Sequence, residues 1–438
     1  MNIFQELVSG LSISLVMIPE GIAFALLLGV SPLVGLSSSI VVSLIMSILG
    51  GQPAMVSGAS SVAIVIASAV KAHGLRYLLP VVFLSGLFHI VIALTMGYKL
   101  YEYVPQNVFS GFFIGLALLI ALSQLEQFRQ IKKKEDKEDK EDKEDKEDKC
   151  KERLTPKEIL EYQKSSIELS SKWLKGSELL YTILFTLIAV VVMYASEYVQ
   201  NIIPASLITV VLVTGLFYII PHTFPVRTIG DFGSLSLDKF TFMPKWNILE
   251  GMGDKEGWGS MFLKTLPYAL SVAVSGLTEN ILTMKQLDQK LGRTAIQEGG
   301  GFQETVGMGV ANMTSGMLGG IGGCALVGQT MLNIANGART RLSAFSCGLF
   351  LLAMLLFIPT WIEKIPVPAI IGIMINIVHK TGAWEALKIA STGKVDIINY
   401  FIMIVTAIMA VLFSNVALGL VSGVSLFYFI KYVFQIAL

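Results

Sequence analysis

The chain has 438 residues, 53% of them hydrophobic and 15% charged, with a net charge of +1 and a mean hydropathy of +0.67. A soluble domain of this size would carry about 25% charged residues, so a wholly water-facing exterior is excluded and a bilayer is the expected solvent. No basic face stands out for nucleic acid. The cysteines (Cys150, Cys324, Cys347) and histidines (His73, His89, His222, His379) show no disulfide or metal-ligand spacing, and no nucleophile–base pair suggests an enzyme.

In chain order, Met1 to Glu6 lacks the basic start of a cleavable signal, so the first apolar stretch, near 7–29, reads as a retained span. Further segments long enough to cross a bilayer, or to cross half of one, fall near 33–50, 54–70, 77–97, 107–125, 178–197 and 203–220. A second set lies near 261–284, 302–319, 323–335, 342–360, 365–379, 395–414 and 416–435. This pattern predicts an all-α polytopic membrane protein with 14 transmembrane segments in a 7+7 inverted repeat (UraA-like). The first repeat covers 1–220, a Pro- and Gly-rich linker 221–260, and the second repeat 261–438.

A charged low-complexity insertion over 129–176 interrupts the first repeat. Within it, Lys132 to Lys149 carries eight Lys and ten acidic residues in a three-residue period. Such a tract buries no apolar face in any conformation, so it is expected to be solvated, either disordered or a frayed helix. With 14 spans both termini share one side, and the short loops there carry Lys99, Lys285, Lys290, Arg293, Arg339, Arg341, Lys380, Lys388 and Lys394. The opposite short loops offer Lys71, Arg76 and Lys364, which places both termini in the cytoplasm of a plasma or inner membrane.

Two segments break the rules for lipid-facing helices at corresponding places in the two halves. In the first, Gly50-Gly51-Gln52-Pro53 leads into Ser57-Gly58-Ala59-Ser60-Ser61 and an apolar helix. In the second, Gly316, Gly319, Gly320, Gly322 and Gly323 precede Cys324-Ala325-Leu326-Val327 and a short helix. Extended backbone at membrane depth is tolerated only inside protein or beside water. Each following half-helix points free amides and a positive dipole end toward the membrane centre, and two such ends face to face form an anion cradle. As packing devices alone the glycines would only bring helices close. Their match across the halves points instead to a binding site.

Glu279 lies inside the eighth span, and Thr283, four residues on, shares its face. An intramembrane carboxylate is costly and by default marks an ion or proton pathway. Glu20, after Pro19 in the first span, is the pseudo-equivalent position, and reads equally as a structural hydrogen-bonding group or as a site residue. Glu126 and Asp288 fall at span ends, where an interfacial position suffices to explain them.

Several runs resemble signatures of the SulP family of anion transporters. They are Ile18 to Ala25, Pro53 to Ser60, Gly111 to Phe128, Leu266 to Leu270, Leu277 to Thr283, and Gly319 to Asn333 with Asn336 to Ser343. The resemblance covers nearly the whole chain apart from the charged insertion. It implies a homodimeric membrane protein with core and gate domains that moves small inorganic anions, of the bicarbonate or sulfate class, by an elevator-like motion. By resemblance to the family's bicarbonate transporters, Glu279 and Thr283 sit where a carboxylate and a threonine bind Na⁺. Cys324, Ala325, Leu326 and Val327 would lend backbone to the ion and anion sites, with Ser60 and Ser61 opposite. Gln329 stands where vertebrate members carry an Arg, which weakens simple exchange. Members usually continue into a cytoplasmic STAS domain, whereas this sequence stops at Leu438, as a minimal form or as part of a longer protein.

An ionised Glu279 would repel a neighbouring anion, and a bound Na⁺ or a proton would remove that repulsion. Cation-coupled uptake is therefore expected, with no cofactor other than the coupling ion. An anion exchanger or channel-like pathway is the alternative. A nucleobase–cation symporter is disfavoured, because Cys324 to Val327 offers no side chain to read a base. Bicarbonate, sulfate, chloride and organic dicarboxylates all stay open as cargo.

Overall fold

A computed structural model describes residues 3–133, 167–199, 205–219, 225–232, 235, 258–294, 296–391 and 397–433. Most of the charged tract, Cys150 and most of the 221–260 linker lie outside these residues. The first half contains α1 (Ile3–Leu27), α2 (Pro32–Leu49), β1 (Ser57–Gly58), α3 (Val62–His73), α4 (Leu78–Leu94) and α5 (Gln106–Leu125). It continues with β2 (Arg129–Lys133), β3 (Ile167–Trp173), α6 (Gly176–Val199) and α7 (Ala205–Ile219). The second half contains α8 (Trp258–Leu291), α9 (Gly301–Met317), β4 (Cys324–Ala325), α10 (Val327–Ala335), α11 (Arg341–Phe357) and α12 (Pro359–Glu363). It ends with α13 (Val367–Thr381), α14 (Trp384–Ser391), α15 (Ile397–Leu412) and α16 (Val416–Val433).

Among the described residues, seven helical stretches are long and apolar enough to span a membrane: Ile3–Leu27, Pro32–Leu49, Leu75–Leu94, Gln106–Phe128, Gly176–Ser196, Gly259–Leu291 and Val416–Val433. The helices α3, α7, α11, α13 and α15 are shorter and apolar. Many hydroxyls inside these helices bond backward along their own chain, as Ser38 does to the Val34 carbonyl (2.6 Å) and Thr406 to that of Ile402 (2.7 Å), which satisfies them without a partner from outside the helix. Proline sits at or near the first position of α2, α12 and α13, where its missing N–H costs nothing.

The helices pack as two bundles. In one, α4 lies against α9 and α8, α1 against α11 and α2, and α2 against α9 and α11. In the other, α5 lies against α15, α13 and α16, and α6 against α13 and α7. Contacts of α1 with α13 and α8 with α16 join them. Enclosure differs along the chain: 72% of the most apolar part of α1 is buried, against 28% for α6, whose Leu180, Leu187 and Val191 stay exposed. Such an apolar exterior needs a lipid solvent.

Two small ladders interrupt the helices. β1 pairs antiparallel with β4, which joins the first half of the chain to the second. β2 pairs antiparallel with β3. Most of the Lys-Glu-Asp tract expected to be disordered or a frayed helix lies outside the described residues, whereas its first two residues, Lys132 and Lys133, belong to β2. Alternating apolar residues in Ile167-Glu168-Leu169 and the aromatic Trp173, over which the Arg129 guanidinium sits at 5.4 Å, supply the physical reason. A second difference is that α8 runs on to Leu291, past the predicted end near 284, and its last turns carry Asp288 into a hydrogen bond from Gln52 (2.6 Å).

Candidate functional site

The chain leaves α2 at Gly50, turns, and becomes extended through Ser57–Gly58 before α3 begins. In the second half α9 ends at Met317, and a glycine turn leads into Cys324–Ala325 before α10. Gly319 and Gly322 take φ of +88° and +66°, conformations in which a side chain would be strained. The two extended segments cross with Ser57 opposite Ala325 and Gly58 opposite Cys324. A Cβ on Gly323 would run into the Gly58 carbonyl, so the crossing is backbone against backbone.

Crossing strands at membrane depth expose amides that lipid cannot satisfy. Side chains from surrounding helices accept them. Ala59 N–H donates to Ser39 (3.2 Å), Val56 to Thr330 (3.0 Å), Ile321 to Ser38 (2.7 Å), Gly323 to Asn312 Oδ1 (2.8 Å) and Ala325 to Asn280 Oδ1 (2.7 Å). Leu326 N–H extends the ladder to the Val56 carbonyl at 2.9 Å.

Glu279 faces this crossing from the middle of α8 and is buried. The Ser61 hydroxyl donates to one carboxylate oxygen and the Cys324 thiol to the other, the latter at 3.0 Å. Ser60 Oγ lies 2.9 Å from Cys324 Sγ. The structure thus brings together Ser60, Ser61, Glu279, Cys324 and Ala325 from separate parts of the chain. Thr283 is also buried, and its hydroxyl donates to the Glu279 carbonyl at 2.6 Å, one turn along the helix from the carboxylate. Val327 opens α10.

On the opposite side, the Gln329 amide in the first turn of α10 donates to the buried Glu20 carboxylate of α1. Gln329 lies five residues after Cys324, so Glu20 is held at the amino end of the half-helix that directly follows the thiol donor of Glu279. The amino ends of α3 and α10 contribute partial positive charge, about half an elementary charge each. A hard cation placed here would find carboxylate, hydroxyl and carbonyl oxygens; among the described residues no cluster of three or more His, Cys, Asp or Glu suits a metal ion.

Sequence reasoning missed Asn280, Ser38, Ser39, Asn312 and Thr330. The signal for Asn280 was present, since an Asn directly after a Glu in an apolar span is a second costly polar group. It also missed Glu304 on α9, whose Oε2 accepts the Gly51 N–H at 2.7 Å, and Glu6, whose Oε1 accepts the Arg339 N–H at 2.8 Å. Glu126 does sit at the edge, paired with Arg129 at 2.9 Å and about 30% exposed.

Apolar helices crossed by two unwound segments, with half-helix amino ends and buried carboxylates at the crossing, form the kind of site that membrane transporters use. Residues 3–141 and 159–406 match the model of the sulfate permease family, and the chain belongs to that family. It is 28% identical to YbaR of Bacillus subtilis (strain 168), named as a candidate sulfate transporter, over 97% of this chain and 76% of that protein. It is 24% identical to the bicarbonate transporter BicA of Picosynechococcus sp., over 93% of this chain and 67% of that protein. Among solved structures, the transmembrane domain of a cyanobacterial BicA superposes with a TM-score of 0.71 at 21% identity, covering 96% of this chain and 97% of that one. Murine Solute Carrier 26 family member A9, an anion transporter in its inward-facing state, gives 0.71 at 18% identity over 99% of this chain and 68% of that one. At these identities the superpositions establish a shared fold.

Proposed function

We propose that this chain is a secondary-active symporter that carries small inorganic anions of the bicarbonate or sulfate class, with Glu279 as the coupling residue and Na⁺ or H⁺ as the coupling ion. One observation carries the reading. Both oxygens of Glu279 are held by donors from the two crossing segments, Ser61 ahead of α3 and Cys324 ahead of α10, so an anion seated between the half-helix ends lies against this carboxylate. Two like charges about 4 Å apart repel by about 4 kcal/mol at an effective dielectric near 20. A cation or proton on Glu279 removes that repulsion, so each ligand raises the affinity for the other.

In this reading α9 and the β1–α3 and β4–α10 units count with the apolar helices as two sets of seven spans, over 1–220 and 261–438 with 221–260 between. In this reading the bundle of α1–α4 and α8–α11 is the core that moves, and the other bundle is the gate, in an elevator-type cycle within a homodimer with cytoplasmic termini. The relatives named as sulfate and bicarbonate transporters support this cargo class.

Uptake of labelled bicarbonate and sulfate into proteoliposomes, with an inward Na⁺ or H⁺ gradient imposed or collapsed, tests the reading. Accumulation that requires one gradient supports symport, whereas flux indifferent to both favours an exchanger or channel. Glu279→Gln is expected to lose about 10- to 100-fold of the gradient stimulation. Wild-type uptake by this variant without any gradient would refute the coupling role.

A further inference from the structure

The contacts around the crossing are exchanged between the halves in a reciprocal way. Glu279, from the second half, is held by Ser61 at the start of α3 in the first. Glu20, from the first half, is held by Gln329 at the start of α10 in the second. Each half-helix amino end therefore has a buried carboxylate from the other half beside it, and both carboxylates are about 95% buried. The likeness lies in the placement, a buried carboxylate held by a side chain at the amino end of the other half's half-helix, although Glu279 has a second donor in Cys324 and Glu20 has the Gln329 amide alone.

Two buried donors show where a further ligand belongs. Asn280 bonds Ala325 N–H through Oδ1, while its Nδ2 has no acceptor. The Ser57 hydroxyl, on the strand facing Ala325, has no partner either. Both are fully or almost fully buried, and a donor left unpaired in such a place costs about 1–3 kcal/mol. An anion at the crossing would accept from them.

The charges then have to balance. Two carboxylates and a monovalent anion place three negative charges in the site, and the two helix ends together return about one positive charge. One bound cation leaves a net negative charge of about one, and two bound cations bring the sum near zero. Desolvation cost is smallest at that point.

Among the described residues, the groups around Glu20 offer no alternative counter-charge. The buried titratable groups of the crossing are Glu279 of α8 and Cys324 of β4, and α10 gives Glu20 only the Gln329 amide. Among the other helices packed on α1, α2 has no titratable residue, and Cys347 of α11 is bonded to Met17. Lys71 and His73 of α3, Tyr218 of α7, and His379 and Lys380 of α13 stand at the far ends of their helices, while Arg341 opens α11 at the α2 carboxyl end.

We propose that Glu20 is a second cation-coupling carboxylate, so that each monovalent anion is carried with two monovalent cations and one net positive charge crosses per cycle. This rests on the symport reading above and deepens it by fixing its stoichiometry and charge.

The sign of the voltage response tests it. Uptake of labelled bicarbonate is followed to its plateau in proteoliposomes under an inward Na⁺ gradient, and separately an inward H⁺ gradient, with membrane voltage set by K⁺ and valinomycin. A net positive charge makes an inside-negative step of about 60 mV raise the attainable accumulation about tenfold. Stimulation supports the proposal. Gradient-driven uptake that ignores voltage means one cation per anion, and overturns the proposal while leaving symport standing. Uptake that ignores both gradients and falls with inside-negative voltage means bare anion flux, and overturns the symport reading as well. Glu20→Gln is expected to keep gradient-driven uptake but lose the voltage response, and Glu20→Asp to retain it. A wild-type voltage response in Glu20→Gln would overturn the role of Glu20. Should that variant not transport, Glu20→Asp decides the assignment: uptake with the wild-type voltage response supports it, and gradient-driven uptake without a voltage response overturns it.

Discussion

The two bundles differ most in what they bury. The bundle of α1–α4 and α8–α11 encloses four carboxylates, Glu6, Glu20, Glu279 and Glu304. Their hydrogen bonds join residues far apart in sequence, such as Glu304 with Gly51 and Glu6 with Arg339. In the bundle of α5–α7, α13, α15 and α16, no described carboxylate is buried, and Thr182, Thr186 and Thr406 bond carbonyls of their own helices. A bundle stitched by bonds between distant elements keeps its shape when displaced, because an opened buried bond is costly. In the other bundle the buried threonines are satisfied within their own helices, and Asn107 of α5 with Asn399 of α15 is a link between distant elements (2.9 Å). The difference teaches that two bundles of one apolar chain can be told apart by where the hydrogen bonds of their buried carboxylates and threonines run.

Three substitutions test this comparison. The largest effect is expected from Gly323→Ala. The added methyl meets the Gly58 backbone, which has no side chain to turn away, and overpacking of this kind costs about 1–3 kcal/mol. Thermal unfolding in detergent should show the loss, together with failure of uptake; an unchanged melting temperature would mean that the crossing is loose. Asn280→Ala comes next. It removes the acceptor for Ala325 N–H and the unpaired Nδ2, so a loss of about 1–3 kcal/mol is expected, part in stability and part in apparent anion affinity. Anion titration would check this by a raised half-saturation concentration. The smallest effect is expected from Glu126→Gln beyond α5, which breaks a partly exposed pair with Arg129. Exposed pairs contribute about 0–1 kcal/mol, so melting and uptake should both stay near wild type. A large transport defect there would show that the second bundle's edge takes part in the cycle.

Much of the candidate site could be read in advance because its residues violate local rules. Glu279 and Glu20 are carboxylates in apolar spans, and the glycine run before Cys324 cannot be an ordinary lipid-facing helix. Reading ahead failed where the partner decides. Ser39, Thr330 and Asn312 are ordinary polar residues in helices until strands from elsewhere present amides to them. Glu304 was hidden because Gln303 and Thr305 flank it in a stretch of modest hydropathy, so its burial against Gly51 left no local mark.

The sequence by itself determined the solvent, the apolar helices and the places where helix gives way to extended backbone, since hydropathy, glycine and isolated carboxylates act through local energetics. Only the tertiary structure decided the register of the crossing, with Gly58 against Cys324, and the reciprocal pairing of Glu279 with Ser61 and Glu20 with Gln329. Those contacts join residues separated by 218 to 309 positions. Sequence periodicity reports which face of a helix is apolar. It carries no information about which distant backbone will arrive there.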